Sequence, residues 1–298
     1  AQVGIVAHYR TAATSVRAFD QAARPLNHCI TMNLEEKVSH GGHWSRQARL
    51  LVLDVALSLQ QWQLWTHLGW QDLLRQYRRS FLGPAWIAIN MAVFTAAFGW
   101  IGSQLFNQDV KTYVPYFCLG NVFFGFLSTM FNEGCRTYTE AAAFLKQTSY
   151  PKFSFVFRVL WRNLLMMAHQ FPLIIAVLWL GNYLPGALWH VWLVGFVVTV
   201  ISATPVVAIL AAIATRFRDV PMVVGSILQI AFFVTPVMWQ ASQLTSSRAH
   251  LITVFNPLAA WLELLRAPLL GTYPSSAAWL TAGVSFSVCL VICVITYL

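Results

Sequence analysis

Six stretches of this chain are too long and too apolar to be the core elements of a soluble domain. They fall at about residues 84–106, 113–131, 155–180, 187–214, 221–240 and 276–297. Each is close to or above the roughly 20 apolar residues that a helix needs to cross the hydrocarbon core. In lipid only helices and closed barrels satisfy their own backbone hydrogen bonds. The expectation is therefore an all-α membrane protein with six transmembrane helices. Charged residues are only 10% of the chain, against about 25% in soluble domains. The formal charge of +9 is spread over short loops between apolar runs. That pattern reports membrane orientation, not phosphate-backbone binding, so no nucleic-acid partner is expected.

The basic residues define that orientation. Residues 1–82 hold nine Lys and Arg, the 132–162 region holds Arg136, Lys146, Lys152, Arg158 and Arg162, and the 215–221 turn holds Arg216 and Arg218. The other side has only Lys111, Arg248 and Arg266. Sixteen against three puts both termini in the cytoplasm. Trp100, Trp179, Trp189, Trp192, Trp239 and Trp279 then fall near the outer ends of their spans, where aromatic belts form.

Residues 60–86 read as an amphipathic helix running into the first span. At about 100° per residue, Trp62, Trp65, Trp70, Leu73, Leu74, Tyr77 and Phe81 share one half, and His67, Gln71, Asp72, Arg75, Arg78 and Arg79 the other. Such a helix lies in the membrane interface, rings in the headgroup boundary and arginines near phosphates. Gly83-Pro84 then breaks it. Residues 1–59 are read as a cytoplasmic N-terminal segment, partly disordered, and residues 60–298 as the membrane domain. Met32 precedes a more helix-like run and is expected to be the natural start.

Two further segments stand out. In 132–152, Thr137-x-x-Glu140 has the form of a capping box, followed by the helix formers Ala141 to Lys146 and closed by Tyr150-Pro151. This predicts a short cytoplasmic helix fixed between two spans. In 241–275, Leu251–Phe255 and Leu258–Leu265 are too short to span and are separated by Asn256-Pro257. They predict two short re-entrant helices between spans five and six, with Glu263 and Arg266 three apart and able to pair.

The chain carries no Gly-x-x-x-x-Gly-Lys-Ser/Thr loop, no His-Glu-x-x-His zinc helix and no Gly-x-Ser-x-Gly elbow. His67 and Asp72 have the spacing of some acyltransferases but sit about 140° apart on a helix. Wetting the polar side of the interfacial helix is the better reading of both. The five cysteines form no framework on the oxidising side, so neither a disulfide nor a metal site is expected. Arg158, Arg162, His169, Asn90, Asn121 and Gln229 are the polar groups within or at the mouths of spans. Almost no carboxylates accompany them, which weakens an ion-coupled mechanism. The second span is rich in rings, including Tyr113, Tyr116, Phe117, Phe123 and Phe124, and the fifth adds Phe232 and Phe233. These rings either face lipid or line a conduit where sugar C–H faces slide over them.

With these residues in place, the chain resembles the membrane subunit of ABC exporters of lipid-linked polysaccharide (O-antigen, capsule or teichoic acid). The likeness covers roughly residues 60–298. It rests on Gln76–Trp86, on Leu145-Lys146 to Tyr150-Pro151, on Arg216–Val220 leading to Thr235-Pro236-Val237, and on Asn256-Pro257 through Arg266 to Leu270-Gly271. The resemblance implies a homodimer of six-span subunits in a bacterial inner membrane, bound to two copies of a separate ABC ATPase. ATP and Mg would belong to that partner, with no cofactor in this chain. It implies a coupling role for Thr137, Glu140, Phe144, Lys146 and Tyr150, and an outer-gate role for Asn256, Pro257, Glu263 and Arg266. Arg78, Arg79, Arg158 and Arg162 are the candidates for meeting the anchor's phosphate. The other readings are an ABC permease for a drug or small lipid, an ion-coupled carrier, and a membrane-embedded transferase.

Overall fold

The computed structural model describes residues 43–78, 83, 85–147, 150–240 and 253–297. Met32, Arg79 and the first two residues of the first expected half-helix, Leu251 and Ile252, lie outside these residues, and of Phe144 only the backbone is described. Among the described residues the chain is all helix, with no strand. It divides into two compact units, one up to Leu53 together with Leu298 and one from Asp54 to Tyr297. The described part of the first unit is helical from His43.

The elements are α1 (His43–Gln60), α2 (Trp62–Tyr77), α3 (Ala85–Leu105), α4 (Val110–Gly134), α5 (Thr137–Glu140), α6 (Ala142–Gln147), α7 (Phe153–Ala168), α8 (Phe171–Leu180), α9 (Trp189–Arg216), α10 (Val220–Val234), α11 (Pro257–Arg266) and α12 (Ser276–Tyr297). Single 3₁₀ turns occupy Leu184–Gly186 and Pro268–Leu270. Five segments are long and apolar enough to cross a membrane: α3, α4, α7 with α8, α9 and α12.

The expected fifth span is shorter than the apolar run that predicts it. Helix α10 has 15 residues, or about 22 Å at 1.5 Å per residue, against about 30 Å of hydrocarbon. The cause is Pro236, which disfavours helical backbone at Thr235 and cannot continue the ladder. Thr235 is accordingly extended (ψ 140°). The third span is interrupted as well. Pro172 at the start of α8 has no N–H to give to the carbonyl four residues back. His169 and Gln170 therefore form a turn between α7 and α8.

Helix α4 is the centre of the second unit. It packs against α3, α7, α8, α9, α10 and α11, and 67% of its apolar window is buried against 17% for α3 and α12. Tyr113, Phe117, Phe123 and Phe124, four of the rings expected along a conduit, are part of this interior. Tyr113 stacks on Phe117 with parallel rings, and Phe124 meets Phe232 edge-on. Phe233, by contrast, is 63% exposed.

Small residues bring the backbones together, as in membrane bundles generally. A Cβ on Gly195 of α9 would lie 2.6 Å from the Leu264 carbonyl oxygen of α11, a backbone atom that cannot swing away. Gly283 of α12 has nothing within 4 Å of such a Cβ. Gly195→Val is therefore expected to destabilise the bundle by about 1–3 kcal/mol. Gly283→Ala should be neutral or gain up to about 1 kcal/mol from helix propensity. Thermal unfolding of the two variants in detergent checks the contrast.

Candidate functional site

The site is built where α2 crosses α7. Gly69 makes the approach possible, because a Cβ there would meet the Arg158 carbonyl oxygen at 3.1 Å and the Trp161 ring at 3.0 Å. Leu73, one turn on, is buried, and Trp65 rests on Phe157 and Trp161. The aromatic half of α2 is thus divided. Trp65 and Leu73 turn into the protein, while Trp62, Trp70 and Leu74 remain exposed.

Asp72, three residues after Gly69, is carried into contact with α7. Arg158 donates to it through Nε at 2.6 Å and Nη2 at 2.7 Å, a two-pronged pair. Arg162, on the same face of α7 one turn later, lies 3.8 Å from Asp72. It donates through Nε at 3.2 Å to Glu133, near the end of α4, and its Nη2 lies 2.7 Å from the same carboxylate oxygen. Asn163 adds a hydrogen bond to the same Glu133 oxygen at 2.6 Å. Asp72 is 10% and Arg158 19% exposed, so these are largely desolvated charges. Removing one member of such a pair leaves the other uncompensated and is the costly change. Wetting the polar face of α2 is therefore not what Asp72 does. Among the described residues His67 is hydrogen-bonded to Gln71, at 3.0 Å, and not to Asp72, so His67 and Asp72 do not act together.

The phosphate candidates separate accordingly. The guanidinium forks of Arg158 and Arg162 are turned to Asp72 and Glu133, while Arg78 is exposed at the end of α2. The break after α2 comes earlier than Gly83-Pro84: the helix ends at Tyr77 and the next begins at Ala85, with Gly83 in left-handed backbone (φ 53°).

Below this network lies the short helix pair α5 and α6. Thr137 is buried, but its hydroxyl donates to the Glu133 carbonyl at 3.4 Å, and Arg136 occupies the cap position with no side-chain cap. The capping box is not formed, because the chain is already helical before Thr137. Tyr138 is hydrogen-bonded to Tyr297 of α12, and burial first, then Tyr297, holds its hydroxyl well above the usual range. Glu140 and Lys146 are exposed. Thr137 and Glu140 share a narrow cleft with Arg158 and Arg162. Asp54 accepts from the first amides of the next span, Lys152 N at 3.0 Å and Phe153 N at 2.9 Å. Burial pushes its carboxyl up, and those two amides and the Lys152 charge pull it back.

A second cluster surrounds the segment after α10. Tyr113 donates to the Met238 carbonyl at 2.9 Å, and Tyr116 to Trp239 at 3.0 Å. Arg266 of α11 donates to the Pro236 carbonyl at 2.7 Å and lies 3.7 Å from the centre of the Tyr116 ring. Glu263 instead accepts from Ser275 N at 2.7 Å. The expected Glu263–Arg266 pair is thus replaced by two separate ties, each to a different segment. Asn256 caps α11 by accepting from Leu258 N, and it donates to Thr235 at 3.0 Å. Pro257 opens the helix.

Replacing Asp72 by Asn is expected to lower the unfolding temperature. The double variant Asp72→Asn/Arg158→Gln should recover part of that loss, with a coupling of about 1–3 kcal/mol. Chemical or thermal unfolding of the four proteins of the cycle measures it.

Comparison with known proteins fits this architecture. The family profile described as ABC-2 type transporter matches residues 63–270, from α2 to the turn after α11. An O-antigen export system permease protein RfbA of Myxococcus xanthus is 26% identical over 201 residues, 66% of this chain and 76% of the relative. Two RfbA permeases of Klebsiella pneumoniae are 21% and 22% identical, covering 64% and 65% of this chain and 74% and 76% of the relatives. With that match spanning well over half its length, the chain is a multi-pass membrane protein that belongs to the ABC-2 type transporter family.

Proposed function

We propose that this chain is the membrane subunit of an ATP-driven exporter that carries lipid-linked polysaccharide, O-antigen above all, out of the cytoplasm. The observation that carries the reading is the ABC-2 match over 63–270 together with relatives that are O-antigen export permeases. The sequence has no P-loop, so the energy would come from an ABC ATPase bound to the cytoplasmic side, two copies to a permease homodimer. ATP and Mg would be held there. The sixth crossing would be α10 extended by the latched Thr235–Gln240 segment. Helix α2 would lie in the interface of the bacterial inner membrane, α11 would dip into the outer leaflet as a gate, and both termini would face the cytoplasm.

The site supplies a mechanical route. The ATPase would press on α5 and α6 through exposed groups such as Glu140 and Lys146. Glu133 lies one turn before α5, so displacement there pulls on Arg162, and through Asp72 on α2. Force applied at the cytoplasmic helices thus reaches the interfacial helix through charge-assisted hydrogen bonds, which hold geometry better than apolar contacts. Arg78 and Arg79 would meet the anchor's phosphate.

Reconstitution with the P-loop subunit should give ATP-dependent movement of lipid-linked polysaccharide, and the chain alone should give none. Arg78→Gln/Arg79→Gln should lower export by about tenfold, the loss of one charge-assisted contact, with assembly intact. The pair Glu140→Lys/Lys146→Glu should instead weaken copurification of the ATPase. Transport by the chain without a partner would overturn the reading.

A further inference from the structure

The turn that interrupts the third span has a consequence for its neighbour, Gln170. This side chain is 8% exposed, and its Oε1 is buried with no hydrogen-bond partner among the described residues. An unpaired amide oxygen at that depth is destabilising, and polar cavities beside such groups hold water or a ligand. Gln170 lines a cavity of about 220 Å³ between α2, α4 and α7. Its other polar lining groups are Thr129, Glu133, Asn163, Gln76 and Tyr77. A second, more apolar groove of about 550 Å³ shares Gln76, Tyr77 and Ile87 and runs along Trp86, Met91 and Phe94. The groove also carries Asn90 and Asn121, but most of its wall is apolar, so the two together run from a more polar end to a more apolar one.

Charge decides which head group fits. Among the described residues neither wall carries a cationic side chain. Arg162, the nearest one argued above, is turned to Glu133 and Asp72. Glu133 itself faces the cavity and already engages Arg162, so an anionic head would meet a carboxylate and an amide with no free cation to receive it. An uncharged head bearing hydroxyls can donate to the carboxylate and exchange hydrogen bonds with the Gln170 amide, while both Asn163 amide hydrogens are already given to Glu133 and the Val159 carbonyl. This holds for either orientation of the Gln170 amide.

We infer that the cavity and groove together form a binding site for one amphiphile with an uncharged, hydroxylated head, such as a glycolipid, its tail along α3. This occupant differs from a phosphate-anchored cargo, and the site does not depend on the export reading. From its position beneath α2, an occupant would brace the interfacial helix against α4 and α7.

The test is equilibrium binding of radiolabelled dodecyl β-glucoside to the full chain in lipid nanodiscs, with dodecyl phosphate as competitor. Two variants remove polar groups from the wall, Gln170→Leu and Thr129→Val. Saturable glucoside binding is expected, with dodecyl phosphate at least about tenfold weaker and Gln170→Leu about tenfold weaker for the glucoside. Thr129→Val should lose less. Gln170→Leu removes an unpaired buried oxygen, so its unfolding temperature should not fall, which separates lost binding from lost fold. Absence of saturable binding, equal competition by dodecyl phosphate, or wild-type affinity in both variants would overturn the site. None of these results bears on whether the chain exports polysaccharide with an ATPase.

Discussion

Two carboxylates and two guanidinium groups, Asp72 with Arg158 and Glu133 with Arg162, fix the crossing of α2, α4 and α7. Each is largely removed from water, so each needs the other. In such a place a broken pair costs far more than an intact pair contributes. The pairs tie three segments that are far apart in the chain: α2, the end of α4 and the middle of α7. Their geometry depends on a residue with no side chain, since only Gly69 lets α2 approach α7 closely enough for Asp72 to reach Arg158.

The segment after α10 is held by a different kind of bond. Three residues from α4 and α11, Tyr113, Tyr116 and Arg266, take up carbonyl groups that Pro236 has freed by ending α10. Irregular backbone at membrane depth is stable when its polar groups are satisfied from within the protein, and here they are satisfied from both neighbouring helices. In both clusters polar groups are bound by residues distant in sequence.

Long apolar runs made most of the helices legible, because hydrophobic length survives any tertiary arrangement. Positions 85–105, 189–216 and 276–297 agree closely with the expected spans. Features that depend on a single local rule fared worse. Thr137-x-x-Glu140 has the letters of a capping box, but Arg136 takes the cap. Pro236 shortened a run whose composition alone reads as a full crossing. Among the described residues helix is already present at His43, well before the expected helix at 60. The Glu263–Arg266 spacing permitted a pair, yet better partners lay across the fold.

The ion network itself was half visible. Arg158 and Arg162, four apart at the mouth of a span, signal that anions must lie near them. Their partners are 86 and 29 residues away, a separation that no spacing rule reaches. Asp72 was legible only as a polar residue on an amphipathic helix, and Gln170 not at all, since its significance lies in an unmet hydrogen bond. The central claim is that charge pairing, not apolar contact, holds α2 on α7. The most direct test is the distance between spin labels at His67 and Lys152, measured with Asp72 intact and with Asp72→Asn. A single narrow distance that broadens or lengthens on substitution is the predicted result; an unchanged narrow distance would contradict it.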